Sequence, residues 1–147
     1  MKYIKTFEND ISISYQSHIQ IILIPIIVTW FDFKIDNTKF IVDDKFKLYL
    51  GDNLVTESGF NIEQPDKWLN EKYVTLHDLK TIEKFQRKGF AKKLLNHIFD
   101  YVKNELNLNI ITLIVYKDNN KAVNLYFKCG FEIYDEYNDS YSLIKKL

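Results

Sequence analysis

Up to about Thr81 the chain alternates apolar and polar residues in short runs: Ile11-Ser12-Ile13-Ser14-Tyr15, Phe31-Asp32-Phe33-Lys34-Ile35 and Phe46-Lys47-Leu48-Tyr49-Leu50. A period of two puts every second side chain on one face, so these runs predict half-buried strands. Asp36-Asn37-Thr38 and Gly51-Asp52-Asn53 supply residues that tolerate the backbone of tight turns and predict hairpin connections. Ile19 to Trp30 is continuously apolar; its β-branched density and Pro25 favour extended chain. Gln64 to Glu71 reads as a loop or a single helical turn, and Tyr73 to Thr81 as a further strand.

The period changes after Gly89. Leu94, Ile98, Val102 and Leu106 recur four apart, with Leu95 and Phe99 beside them, which lays one apolar stripe along a helix from Gly89 to about Leu106. His97 falls among the solvated positions of that helix. Asn109 to Tyr116 is a strand rich in Ile, Leu and Val, expected to be buried on both faces. Asp118-Asn119 are N-capping residues for a second helix from Asn119 or Asn120 to Lys128, which Gly130 stops. Phe131 to Tyr134 and Tyr141 to Ile144 close the chain as two strands. Strand, helix, strand, helix, strand, strand predicts a mixed α/β domain whose helices cover a central sheet.

Composition narrows the class. With 147 residues and 46% hydrophobic content the chain suffices for one domain with a real core. Twenty basic residues balance twenty acidic ones, which argues against a nucleic-acid partner and confines any electrostatic site to a local patch. One cysteine, Cys129, excludes an internal disulfide framework, and His18, His77 and His97 form no zinc-like spacing with it. These features point to a reducing, cytoplasmic setting and no resident metal. The strongest apolar run, Ile21 to Val28, is shorter than the roughly 20 residues of a membrane span and is broken by Pro25.

The local patch is Phe85-Gln86-Arg87-Lys88-Gly89-Phe90-Ala91-Lys92-Lys93, a basic, glycine-containing turn directly before a helix. Helix N-termini present backbone N–H groups without intrahelical partners and about half a unit of positive charge, so anionic oxygens settle there. A solvated basic patch is the alternative reading of those residues. Neither a nucleotide P-loop nor a full dinucleotide fingerprint is present.

Gln86-x-x-Gly89-x-Ala91 is similar to the signature of the Gcn5-related N-acetyltransferases, the GNAT superfamily. Asn119-x-x-Ala122-x-x-Leu125-Tyr126-x-x-x-Gly130-Phe131 resembles that family's second block, in the expected order. The resemblance covers Tyr73 to Leu147. It implies a GNAT-like mixed central sheet flanked by helices, one acetyltransferase domain over 1–147, with a cofactor-binding core at about 73–147 and a strand-rich acceptor-side half at 1–72.

The resemblance further implies acetyl-coenzyme A as co-substrate and a small-molecule or peptide amine as acceptor. The backbone of Leu79 and Thr81 would pair with the pantetheine arm. Amides across Arg87, Lys88, Gly89, Phe90, Ala91 and Lys92 would receive the pyrophosphate. Asn119 would bond the cofactor arm, or act simply as an N-cap. Tyr126 would protonate the departing thiolate, or serve only to pack its helix on the sheet.

His77 resembles the histidine that arylalkylamine N-acetyltransferases place at this point of the strand, which makes it the candidate base; Asp78, Glu83 and a water relay remain alternatives. Alternation predicts His77, Leu79 and Thr81 on one face and Asp78 and Lys80 on the other. A non-catalytic acyl-coenzyme A-binding module is the competing function. The aromatic-rich first half also offers a surface for a homodimer.

Overall fold

The computed structural model describes residues 3–6 and 37–147. The runs at Ile11–Tyr15, Ile19–Trp30 and Phe31–Ile35, with His18 and Asp36, lie outside the described residues. Among the described residues eight strands form one sheet: β1 Tyr3–Thr6, β2 Thr38–Val42, β3 Phe46–Leu50, β4 Asn53–Glu63, β5 Tyr73–Thr81, β6 Ile110–Tyr116, β7 Glu132–Glu136 and β8 Ser140–Lys146. Their spatial order is β1-β2-β3-β4-β5-β6-β8-β7. Two α-helices lie among the described residues, α1 Phe90–Asn104 and α2 Asn120–Lys128.

β1 to β5 pair antiparallel by successive connections, whereas β5 and β6 are parallel and joined through α1. A parallel pair needs such a crossover, and its helix must cover the sheet. Leu94, Leu95, Ile98 and Val102 of α1 are buried against Leu48, Val74, Leu76 and Ile111, in one core with Leu143. Each fully buried side chain of this size contributes about 1.5–3 kcal/mol. α2 adds Val123 and Tyr126 to the same core.

Three expectations are corrected. His97 is buried, its ring stacked 5.3 Å from Phe40 of β2, because the buried face of α1 is wider than the apolar stripe. β6 is buried on both faces only at its start; Ile114 and Tyr116 are 67% and 64% exposed.

The third correction concerns β5, whose alternation breaks at Asp78. Its φ of 52° is left-handed, and the β4 register steps from Glu57↔Lys80 to Gly59↔His77, so Asp78 and Leu79 face the single residue Ser58. This β-bulge reverses the side-chain order. Leu79 packs on the core, and Thr81 is the register partner of Thr56, itself paired with the buried Leu48. His77 stays on the opposite face with Tyr73 and Thr75.

β5 and β6 pair only at Val74↔Ile111, Thr75↔Thr112 and Leu76↔Leu113. Both strands continue past that point, to Thr81 and Tyr116, without pairing each other. A gap therefore opens at the carboxyl ends of two parallel strands, where open α/β sheets bind their ligands.

Candidate active site

Backbone polarity at the gap follows from bonds on the far side of β5. Ile82 N–H donates to Val55 O, and Lys80 O accepts from Thr56 Oγ1. Neighbouring residues aim their polar groups in opposite directions, so those of Leu79 and Thr81 face the gap. There Thr81 O accepts from Gln86 Nε2 at 3.0 Å, tying the end of β5 to the basic turn.

The turn itself is shaped by two left-handed residues, Arg87 with φ 61° and Gly89 with φ 82°. Such alternation of backbone conformation turns successive N–H groups toward one point, the geometry of an anion-binding nest. Gly89 is the N-cap of α1 and supplies no side-chain hydrogen bond; the helix ladder begins with Lys93 N–H donating to Gly89 O at 3.0 Å. The N–H groups of Phe90, Ala91 and Lys92 therefore precede the ladder and point out of the helix.

A cleft of about 590 Å³ opens over this turn, between the N-terminal end of α1 and one face of α2. Thr81, Arg87, Gly89, Phe90, Ala91, Lys92 and Asn119 line it, while Lys88, Leu79, His77 and Tyr126 do not. From α2 come Lys121, Ala122, Asn124, Leu125 and Lys128, of which sequence reasoning missed Lys121, Asn124 and Lys128. Those three lie three and four residues apart, on one helical face, the signal that would have found them. Arg87, Lys92, Lys121 and Lys128 are four cations, and none of the lining residues is acidic.

Asn119 caps α2, its Oδ1 accepting from Ala122 N–H at 3.3 Å, and the same residue lines the cleft. The cap therefore occupies its side-chain carbonyl and leaves its amide N–H groups as donors. Tyr126 is only 8% exposed, in an edge-to-face contact with Phe131 whose centroids are 5.6 Å apart. Burial, with a smaller contribution from Cys129, pushes its phenol up to about 12. It is thus a neutral hydroxyl at physiological pH.

On the opposite sheet face His77 is half exposed, and its Nδ1 lies 2.9 Å from Asp78 Oδ2. The His77 hydrogen bond holds the Asp78 carboxyl below its usual range. A charged acceptor at Nδ1 favours the tautomer that carries its proton there, which leaves Nε2 as the basic nitrogen.

Beside them sits Glu57, whose side chain is 11% exposed and bonded to Lys45 at 3.1 Å and Lys80 at 3.0 Å. Lys80 first, and Lys45 second, hold its carboxyl below the usual value against the opposing effect of burial. Sequence reasoning passed over Glu57, whose place between Thr56 and Ser58 in a strand of mixed polarity gave no local sign of its burial or its two lysine partners. Glu83, in the short 3-10 turn Glu83–Phe85, is exposed and lines neither cleft nor gap.

Among the described residues no cluster of His, Cys, Asp and Glu could hold a metal ion, and no helix is long and apolar enough to cross a membrane.

Comparison with known proteins follows the same lines. Over 59 residues the chain is 41% identical to an acetyltransferase PseH of Campylobacter jejuni, covering 40% of this chain and 38% of that one. It is 52% identical over 46 residues to a spermidine N(1)-acetyltransferase of Vibrio cholerae, covering 31% and 27%. The matches thus span well under half the length of these curated relatives.

Among solved structures, a protein from Pyrococcus horikoshii superposes with a TM-score of 0.61 at 28% identity, over 71% of this chain and 66% of its own. The Campylobacter jejuni N-acetyltransferase PseH in complex with acetyl coenzyme A superposes with a TM-score of 0.57 over 99% of both chains. At 20% identity that likeness is one of fold. Residues 24–131 match the model of the acetyltransferase (GNAT) family, so the chain belongs to that family.

Proposed function

We propose that this protein transfers an acetyl group from acetyl-coenzyme A to a primary amine by direct attack. The observation that carries the reading is the cleft at the open end of the β5–β6 gap. It joins an anion nest and a helix N-terminus to four cations and no carboxylate. That lining fits a ligand with several phosphate charges at one end and a neutral arm at the other. The relatives named above, PseH and the spermidine acetyltransferase, support the choice of acyl donor and amine acceptor.

In this reading the amides of Arg87, Lys88, Gly89, Phe90, Ala91 and Lys92 hold the pyrophosphate. Lys121 and Lys128 add countercharge from the facing helix. The gap-side backbone of Leu79 and Thr81 receives the pantetheine arm as an added strand, and Asn119 donates to that arm through its amide. The co-substrate contributes a thioester whose carbonyl carbon accepts the amine nitrogen; a C–N bond forms and the C–S bond breaks.

His77 Nε2 takes the proton released by the amine, directly or through a water. Asp78 positions His77 by holding Nδ1–H. Tyr126 donates its phenolic proton to the departing sulfur and regains one from solvent. α2 packs Tyr126 in the core with Leu113 and Val115 of β6, the strand that forms one wall of the gap. The whole of 1–147 acts as one domain, with 73–147 holding the donor and 1–72 contributing to the acceptor side, in the cytoplasm.

Calorimetric titration with coenzyme A tests the donor site. Binding should weaken at least about tenfold in the Lys121→Ala/Lys128→Ala double variant and weaken further with added salt. Unchanged affinity in that variant would remove the cationic cleft from the account.

A further inference from the structure

The sheet face turned away from α1 carries a second groove, of about 590 Å³. The loop between β4 and β5 forms one wall with Asp66 and Trp68, and β7 with the turn after it forms the other with Tyr134, Asp135 and Tyr137. Ile114 lies in its floor, which explains an isoleucine left 67% exposed in mid-sheet.

Two tyrosine hydroxyls of this groove are committed to carboxylates. Tyr73 donates to Asp66 Oδ2 at 2.8 Å, while Asp66 Oδ1 accepts from the backbone N–H groups of Trp68 and Leu69 at 2.7 and 2.8 Å. A hydrogen bond to Asp135 likewise pushes the Tyr137 phenol up. Both carboxylates thereby accept hydrogen bonds among aromatic rings, and those to Asp66 hold its carboxyl below the usual range. None of the lining residues is Lys or Arg.

Lys67 Nζ lies 4.8 Å from the Trp68 ring centroid, so the indole does hold an ammonium, and a ligand cation takes the ring face that Lys67 leaves or displaces it. A face with two aspartates and an accessible indole favours an ammonium group over a neutral or anionic one. The charge is opposite to that of the coenzyme cleft.

The groove also reaches the reaction centre. Thr75 and Thr112, whose hydroxyls are 3.0 Å apart, line it one register pair before β5 and β6 part. His77 follows Thr75 by two residues on the same face, about 7 Å further along the strand. A molecule lying in the groove therefore extends one end to the gap.

We propose, resting on the acetyl-transfer reading above, that this groove is the acceptor seat and selects a small aliphatic amine bearing a second positive charge. The reacting nitrogen sits at the gap beside His77, and the distal ammonium lies between Trp68 and Asp135. Acceptors with a carboxylate at the distal end meet Asp135 and are rejected.

Three amines of equal chain length separate the cases: 1,4-diaminobutane, butylamine and 4-aminobutyrate, each at saturating acetyl-coenzyme A. The diamine should show a KM about tenfold or more below the other two. Trp68→Ala and Asp135→Asn should each raise the diamine KM about fivefold with kcat and the KM for acetyl-coenzyme A little changed. Both side chains are exposed, so folding is not at stake. Equal KM for the three amines, or a diamine KM indifferent to both variants, overturns the proposal.

Diamine binding without coenzyme A is followed on the indole N–H signals, which the two tryptophans Trp30 and Trp68 keep few. A Trp68 signal that moves while no thiol is released keeps the groove and removes the acetyl-transfer reading. Turnover with an unmoved Trp68 signal does the reverse.

Discussion

Gly59 of β4 lies directly beneath the imidazole of His77, its register partner on β5, and a methyl group there would fall 2.8 Å from Nε2 and closer still to Nδ1 and Cε1. The missing side chain is thus what lets the ring lie flat against the strand with Nδ1 on Asp78. Gly59→Ala should push the ring away and lower kcat about 10- to 100-fold, a partial loss of the roughly 100- to 10,000-fold a positioned base contributes, while coenzyme A affinity stays unchanged. In the double variant Gly59→Ala/His77→Ala the loss should be no greater than in His77→Ala alone, because both act on one group. Additive losses measured by thiol release would separate Gly59 from His77.

Glu57 holds two lysines with one nearly buried carboxylate. Glu57→Ala leaves Lys45 and Lys80 facing each other without it and should cost about 1–3 kcal/mol in urea unfolding. Its carboxyl is depressed in the folded protein, so its contribution is complete above the unfolded value near 4.5 and disappears as pH falls through the lower folded value. The difference between wild type and Glu57→Gln should therefore shrink on acidification below that point. A constant difference from neutral pH to acid would mean that the carboxylate charge does not stabilise this face.

Tyr126 makes an alkaline prediction. Its phenol is raised from 10.0 to about 12 on folding. The folded state thus keeps a proton that the unfolded chain loses, and this contribution is fully present below about pH 10. It is lost as pH rises toward 12, about 3 kcal/mol in all for a shift of that size. Tyr126→Phe should unfold with a shallower stability decline above pH 10 than wild type, and should lower kcat without weakening coenzyme A binding. Parallel declines would show that the hydroxyl is solvated rather than buried.

The cationic-cleft side of the molecule was legible in the sequence because its determinants are local. The stripe Leu94-Ile98-Val102 and the turn at Gly89 lie within a few residues of each other, and β5 and α2 follow the boundaries that alternation and Asn119 predict. The bulge at Asp78 was not legible, since it exists only in the register of β5 against β4. His97 was misplaced for a related reason: the ring that covers it, Phe40, comes from a distant strand. The aromatic groove joins Asp66, Ile114 and Tyr134 from three separate segments, and no window of sequence contains it.

Gly89 offers a test of the anion nest that leaves the rest of the cleft in place. A Cβ there meets nothing within 4 Å, so Gly89→Ala is opposed only by the left-handed φ of 82°. The strain should cost about 1–2 kcal/mol or shift the turn. Weaker coenzyme A binding with a modest fall in melting temperature is expected. A variant that binds as tightly as wild type would show that the turn amides do not hold the phosphates.

Acetyl transfer to an amine is decided by the release of free thiol from acetyl-coenzyme A, measured in the presence and absence of a primary amine and alongside mass analysis of the amine. Amine-dependent thiol release is expected, matched by one acetyl group gained per acceptor, with the KM for acetyl-coenzyme A raised when Lys121 and Lys128 are both replaced by alanine. Tight coenzyme A binding with no amine-dependent thiol release across diamines, monoamines and peptides would contradict it.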